Sequence, residues 1–183
     1  MTWKLLPNTR GAAIFHNESD GTERRRSLHR EWSKPGEIIK VTNYSSDTLV
    51  CIGMNPCNSN ATEDSYTIRK EYTFAQQFKT YFKYTKFNVC DLVSSDPKKL
   101  LLIENPSSKG NHRFIIDSLR NMHADIVLAW GNLPGDLEYL ADELLALLRK
   151  EGHTLYCFGV NLSGMPKHPR FLKTSEMKLQ RFF

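Results

Sequence analysis

Thr48-Leu49-Val50-Cys51-Ile52-Gly53-Met54-Asn55-Pro56 decides the fold class of this chain. An apolar run of strand length stops at a glycine and turns into Asn-Pro. It is nearly continuous rather than alternating, as expected of a strand covered on both faces. Three later runs have the same character: Lys86-Phe87-Asn88-Val89-Cys90-Asp91-Leu92-Val93, Asp125-Ile126-Val127-Leu128-Ala129-Trp130 and Thr154-Leu155-Tyr156-Cys157-Phe158-Gly159. The segments between them read as helices. Residues 65–82 contain no Pro or Gly, and Phe114, Ile115, Leu119 and Met122 recur at helical spacing. Residues 137–150 put Leu137, Leu140, Leu144, Leu145 and Leu148 on one face, with Asp136, Glu138, Asp142 and Glu143 near the start, where they complement the helix dipole. Gly152 reads as the stop. Strands alternating with helices predict an α/β fold: three layers, α/β/α, around a mostly parallel four-stranded central sheet. Ala12-Ala13-Ile14-Phe15 is a candidate edge strand.

The chain has 183 residues, 40% hydrophobic and 25% charged, which fits a single domain able to bury a core. Residues 46–183 read as that core and residues 1–45 as a basic N-terminal extension. No run approaches the roughly 18 apolar residues of a membrane helix. Nor does Met1-Thr2-Trp3-Lys4-Leu5-Leu6-Pro7 contain an apolar h-region. The expectation is a cytoplasmic, monomeric protein with no membrane partner. Cys51, Cys57, Cys90 and Cys157 contain no CxxC pair, so neither a metal nor another cofactor is expected. Cys51, Cys90 and Cys157 sit within apolar runs, as small buried hydrophobes do in a reducing compartment.

Net charge is +5, and the surplus lies at the two ends of the chain. Residues 1–40 hold eight basic and five acidic residues; residues 167–183 hold five basic and one acidic. Arg24, Arg25, Arg26 and Arg30, with Lys167, Arg170, Lys173, Lys178 and Arg181, would attract a polyanion if the fold brought them to one face.

In open α/β sheets, ligands bind beyond the carboxyl ends of the strands. All four runs end in polar or glycine-bearing turns, which predicts one site there. There is no GxxxxGK[ST] phosphate loop, no GxGxxG fingerprint, no HExxH and no GxSxG elbow. Asp91 and Asp96 invite reading as a carboxylate pair, though loop aspartates near prolines are more often turn formers. Cys57 with His168 invites reading as nucleophile and base, supported only by shared location.

The ordered set Leu28-x-Arg30-x-Trp32, Ile52-Gly53-Met54-Asn55-Pro56, Asp64-x-x-Thr67-Ile68-Arg69, Asn88-Val89, Asp96-Pro97-Lys98, Ala129-Trp130-Gly131 and His168-Pro169 resembles a family of uncharacterised bacterial and phage proteins. That family in turn resembles a distant branch of the uracil-DNA glycosylase superfamily. Gly53-Met54-Asn55-Pro56 is similar to the first motif of the mismatch-specific uracil/thymine branch, and His168-Pro169 to the second motif. The resemblance implies a metal-independent DNA N-glycosylase that flips and excises a modified or damaged base, leaving an abasic site. Phage defence is one such setting. Asn55 takes the position that holds the attacking water. His168 takes that of the residue donating to the base oxygen as charge develops. Asn88 takes that of the asparagine that reads the base edge.

Gly53, Met54, Pro56, Cys57, Asp91, Gly131 and Asn132 would line the base pocket. Arg25, Arg26, Lys167 and Arg170 would contact the DNA backbone. Cys57 stands where the uracil-specific branch carries an aromatic residue, so a 5-substituted pyrimidine is expected to fit. Phe171 or Leu172 would fill the gap left by the flipped base, or else anchor in the core. The alternatives are a hydrolase or transferase acting on free nucleotides or nucleosides, and a nucleic-acid-binding module without turnover.

Overall fold

All six residues of Thr48–Gly53 are buried, as the sequence requires of a strand at the centre of a sheet. The computed structural model describes residues 2–19, 21–33 and 46–183. In chain order they form β1 (Trp3–Lys4), β2 (Thr9–Asn17), β3 (Glu23–Trp32), β4 (Thr48–Gly53), β5 (Glu63–Asp64), α1 (Tyr66–Gln76), β6 (Lys83–Asn88), α2 (Asn111–Leu119), β7 (Ala124–Leu128), α3 (Glu138–Lys150), β8 (Leu155–Cys157) and β9 (Gln180–Arg181). The fold is mixed α/β. Its main sheet runs β2-β3-β6-β4-β7-β8-β9, and β1 pairs separately with β5.

The four expected strands, β6, β4, β7 and β8, are neighbours and parallel. Antiparallel strands extend them at both sides: β3 and β2 beyond β6, and β9 beyond β8. The candidate edge strand around Ile14 is β2. The boundary expected at residues 45 and 46 adjoins residues 34–45, which lie outside the described residues. Among the described residues no helix is long and apolar enough to cross a membrane.

Alternation along β4 separates two cores. Val50 and Ile52 pack with α2 and α3 through Ile115, Leu119, Leu140, Leu144 and Leu148. Leu49 and Cys51 pack with α1 through Ile68, Tyr72 and Ala75. Each helix buries a stripe at helical spacing, so both faces of the parallel strands are covered. Ser65 caps α1 by accepting from the Ile68 amide at 3.4 Å. Gly152, with φ of +76°, ends α3 as expected.

β3 corrects the expectation of an exposed basic face at the N-terminal end. It lies between β2 and β6, and Arg24, Arg25 and Arg30 are 1–2% exposed. Arg24 pairs with Asp91 at 3.2 Å and donates to the Asn105 carbonyl. Arg30 pairs with Asp64 at 2.9 Å and donates to the carbonyls of Asn60 and Glu63. The guanidinium groups point inward because each staples a loop whose carbonyls would otherwise be buried without donors.

Asp64 also accepts from Tyr72 Oη at 2.7 Å. Asp64→Ala, which strands the buried Arg30 charge, is expected to cost about 3–5 kcal/mol in chemical denaturation. Asp117→Ala, which breaks the exposed pair with Arg113, should change stability far less. Equal losses from the two substitutions would show that the buried pair is not a structural tie.

Candidate functional site

The carboxyl ends of the parallel strands converge on one cleft. After Gly53 the chain turns through Met54-Asn55-Pro56. The segment following β6 clamps this turn, with Val89 N donating to Gly53 O at 2.9 Å and Cys90 N to Met54 O at 2.8 Å. Gly131 follows β7 with φ of +74° and donates to Pro166 O at 3.0 Å. A Cβ on Gly131 would lie 3.0 Å from His168 Cβ, so the bare backbone is what admits the His168 loop. Two contiguous recesses result, of about 480 Å³ and about 620 Å³. They share Met54, Asn55, Pro97, His168, Arg170 and Phe171.

Gly53 opens the floor of the larger recess. A Cβ there would sit 2.8 Å from Lys86 Nζ and 3.1 Å from Asn88 Oδ1. Asn88 is 1% exposed, lines the recess, and has no hydrogen-bond partner for either amide atom. A buried primary amide left unpaired on both sides costs free energy unless something else meets it. Lys86 lies beside it, paired with buried Glu71 at 2.7 Å, and Tyr84 Oη also donates to Glu71.

Asn55 commits its nitrogen to Ser94 O at 2.7 Å and Pro56 O at 3.1 Å. Its oxygen is therefore the acceptor left for a guest or a water. His168 accepts from the Arg170 amide at Nδ1, 3.1 Å away, so the neutral ring carries its proton on Nε2 as a donor. Burial holds the imidazole pKa down at about 4, and the positive charges of Lys86, Arg170 and Lys70 add to it. At neutral pH the ring is uncharged and sits in a positive potential.

Cys57 lines the larger recess. Burial raises its pKa, but hydrogen bonds with Ser65 and Ser59 and the nearby Arg25 charge outweigh that and leave it below the ordinary thiol value. Among the described residues lining the two recesses there is no Asp or Glu. No group of three or more His, Cys, Asp or Glu among the described residues could hold a metal ion.

Met54 and Asn132, expected in the base pocket, line the cleft, as do Lys167 and Arg170, expected as DNA-backbone contacts, and Asn132 Oδ1 accepts from Asn161 and Ser163, both at 2.8 Å. Two residues expected in the base pocket, Pro56 and Asp91, do not. Pro56 is buried outside the lining, its carbonyl accepting from Ser94 N at 2.9 Å. Asp91 is fully buried, paired with Arg24 and accepting from Ser108 N at 2.8 Å, so it holds a loop rather than a base. Arg26 is mostly covered, near Asp91 at 3.7 Å and over the Phe114 ring. Arg25 reaches the cleft from inside rather than from a basic exterior.

Lys86 and the α1 start at Ser65, Tyr66 and Thr67 were not among the expected lining residues. A lysine inside an apolar strand run was the available signal for Lys86. Phe171 stands at the rim, 83% exposed, rather than in the core.

Residues 25–170 match the family described as Protein of unknown function (DUF1643). The chain belongs to that family. No curated protein and no solved structure matches the chain significantly. The family span takes in the cleft residues from Arg25 to Arg170 and leaves out Thr2, Trp3, Phe171 and Leu172.

The low pKa of His168 has a sign that stability measurements can read. Between the ordinary imidazole value near 6.5 and about 4, the unfolded chain binds a proton that the folded chain refuses. Stability should therefore fall as pH drops through that window. His29, His112 and His153 act in the same direction, each with its pKa lowered chiefly by burial. His168→Gln should remove part of the loss of melting temperature between pH 7 and pH 4.5. An identical slope in the variant would place His168 in water.

Proposed function

We propose that the cleft binds a nucleobase and that the protein is a DNA glycosylase-like hydrolase, excising a modified pyrimidine flipped into it. The observation that carries this reading is Asn88: a buried amide with an open donor and an open acceptor, in a recess also lined by a neutral histidine donor. A pyrimidine edge, with adjacent carbonyl and N–H groups, satisfies both amide atoms at once. The covering of the parallel strands by α1 on one face and α2 and α3 on the other fits the three layers expected of glycosylase-like proteins.

Hydrolysis forms a bond from water to the sugar carbon, the electron pair of the broken glycosidic bond leaves on the base, and the proton lost by the water passes to solvent and finally protonates the departed base. His168 Nε2–H meets the base oxygen where that charge collects. The positive potential that adds to burial in keeping His168 neutral also favours the departing anion, with Lys86 and Arg170 among its sources. Asn55 holds the water through its amide oxygen but cannot take its proton as a carboxylate would, so turnover should be slow. Cys57 leaves room in the larger recess for a 5-substituent. The second reading, a hydrolase or transferase on free nucleotides, is favoured by the depth of Arg25, which is 1% exposed. A phosphate of duplex DNA would more readily meet surface cations such as Lys167 and Arg170.

Single-turnover release of free base from DNAs carrying uracil, 5-hydroxymethylcytosine and its glucosylated form tests the proposal. Asn55→Ala and His168→Ala should each lower the rate on the order of 10²–10³-fold with little change in DNA affinity. Cys57→Tyr should suppress the bulkier substrates before uracil. Full activity in Asn55→Ala, or release of a nucleotide instead of a base, contradicts the mechanism.

A further inference from the structure

Arg24, Arg25 and Arg30 are buried on the same strand, yet only two of them have a carboxylate. Arg24 is paired with Asp91 and Arg30 with Asp64. Arg25 forms no salt bridge among the described residues. Its Nη1 donates to the carbonyls of Cys57 and Ser59, at 3.4 Å and 2.9 Å, and its Nε has no partner. A guanidinium 1% exposed with no counter-charge is expensive to maintain. It lines the larger recess, where the first turn of α1 also faces the cavity through Ser65, Tyr66 and Thr67. The Ser65 side chain caps Ile68, while the amides of Tyr66 and Thr67 precede the first intrahelical bonds of this 11-residue helix. A buried cation without a carboxylate partner among the described residues and a helix N-terminus thus line one recess whose described lining contains no carboxylate. They are joined through Ser59, whose carbonyl accepts from Arg25 and whose hydroxyl accepts from Ser65 N.

We propose that this part of the cleft is a phosphate subsite, formed by Arg25 and the first amides of α1, which takes a phosphate of the nucleotide whose base meets Asn88. The proposal rests on the nucleobase reading for the base, but the anion subsite stands on separate residues. Helix amides and a forked guanidinium together match the oxygens of a phosphate ester. That ester comes either from a free nucleotide or from the strand on which a base is flipped.

Calorimetric titration of the full chain separates these outcomes, using inorganic phosphate, 2′-deoxyuridine, its 5′-monophosphate and a single-stranded oligonucleotide with one deoxyuridine. Wild type is compared with Arg25→Gln and with Tyr66→Pro, which removes one helix amide at a position that tolerates proline. The monophosphate should bind wild type roughly tenfold or more tightly than the nucleoside. Inorganic phosphate should compete with it, and both variants should lose this advantage while keeping nucleoside affinity. If Arg25→Gln fails to fold, Tyr66→Pro decides.

Displacement of phosphate by the oligonucleotide as well as the monophosphate supports the subsite with DNA as the source; displacement by the monophosphate alone supports it with a free nucleotide. Phosphate binding to wild type, lost in both variants, with no binding of the nucleoside, upholds the subsite and removes the base reading. Equal affinity of wild type for nucleoside and monophosphate overturns the subsite. So does Arg25→Gln raising the Cys57 pKa with phosphate binding unchanged, because the guanidinium would then serve the thiol.

Discussion

Gly53 has no side chain, and the neighbouring strand uses the space that one would fill. Lys86 Nζ and Asn88 Oδ1 lie 2.8 Å and 3.1 Å from where its Cβ would stand. Any other residue at the end of the central strand would displace the end of the Lys86 side chain and press on the Asn88 amide in the cleft floor. The clamp from Val89 and Cys90 onto the carbonyls of Gly53 and Met54 holds the turn against β6. One missing side chain thus sets where the amide of Asn88, the charge of Lys86 and the turn carrying Asn55 come together.

Charge burial shapes the rest. The interior holds several buried cations, and most are tied to carboxylates or carbonyls: Arg24 to Asp91 and Arg30 to Asp64, which fix loops, and Lys86 to Glu71, which ties β6 to α1. Such ties add little net stability compared with apolar packing, but breaking one leaves a charge stranded. They therefore specify which loop lies where. What remains around the cleft is positive and without acids among its described lining, which adds to burial in keeping His168 neutral and suits a ligand that carries or develops negative charge.

The parallel core was legible because its strands are continuous apolar runs and α3 has a clean leucine stripe. The motif residues were legible in place: Gly53, Met54, Asn55, Cys57, Asn88, Gly131, Asn132, Lys167, His168 and Arg170 all line the cleft. β3 was not, since Glu23-Arg24-Arg25-Arg26 reads as a solvated charged segment until its carbonyl and carboxylate partners are known. Those partners lie 30–81 residues away, a distance over which sequence pattern carries no pairing information. Asp91 misled for the same reason: its partners are Arg24 and Ser108, on segments distant in sequence. The α1 start was hidden because helix amides, rather than side chains, make it chemically useful.

We propose that the unpaired amide of Asn88 meets a nucleobase. The most direct measurement follows the side-chain NH2 resonances of Asn88 by ¹⁵N–¹H correlation spectroscopy while free uracil, 5-hydroxymethyluracil and adenine are titrated into the protein. The account predicts saturable shifts of both Asn88 amide protons with the two pyrimidines, accompanied by His168 Nε2–H, and weaker or no response to adenine. Asn88 resonances that stay in place while other cleft residues shift would contradict it, because the base would then be read elsewhere.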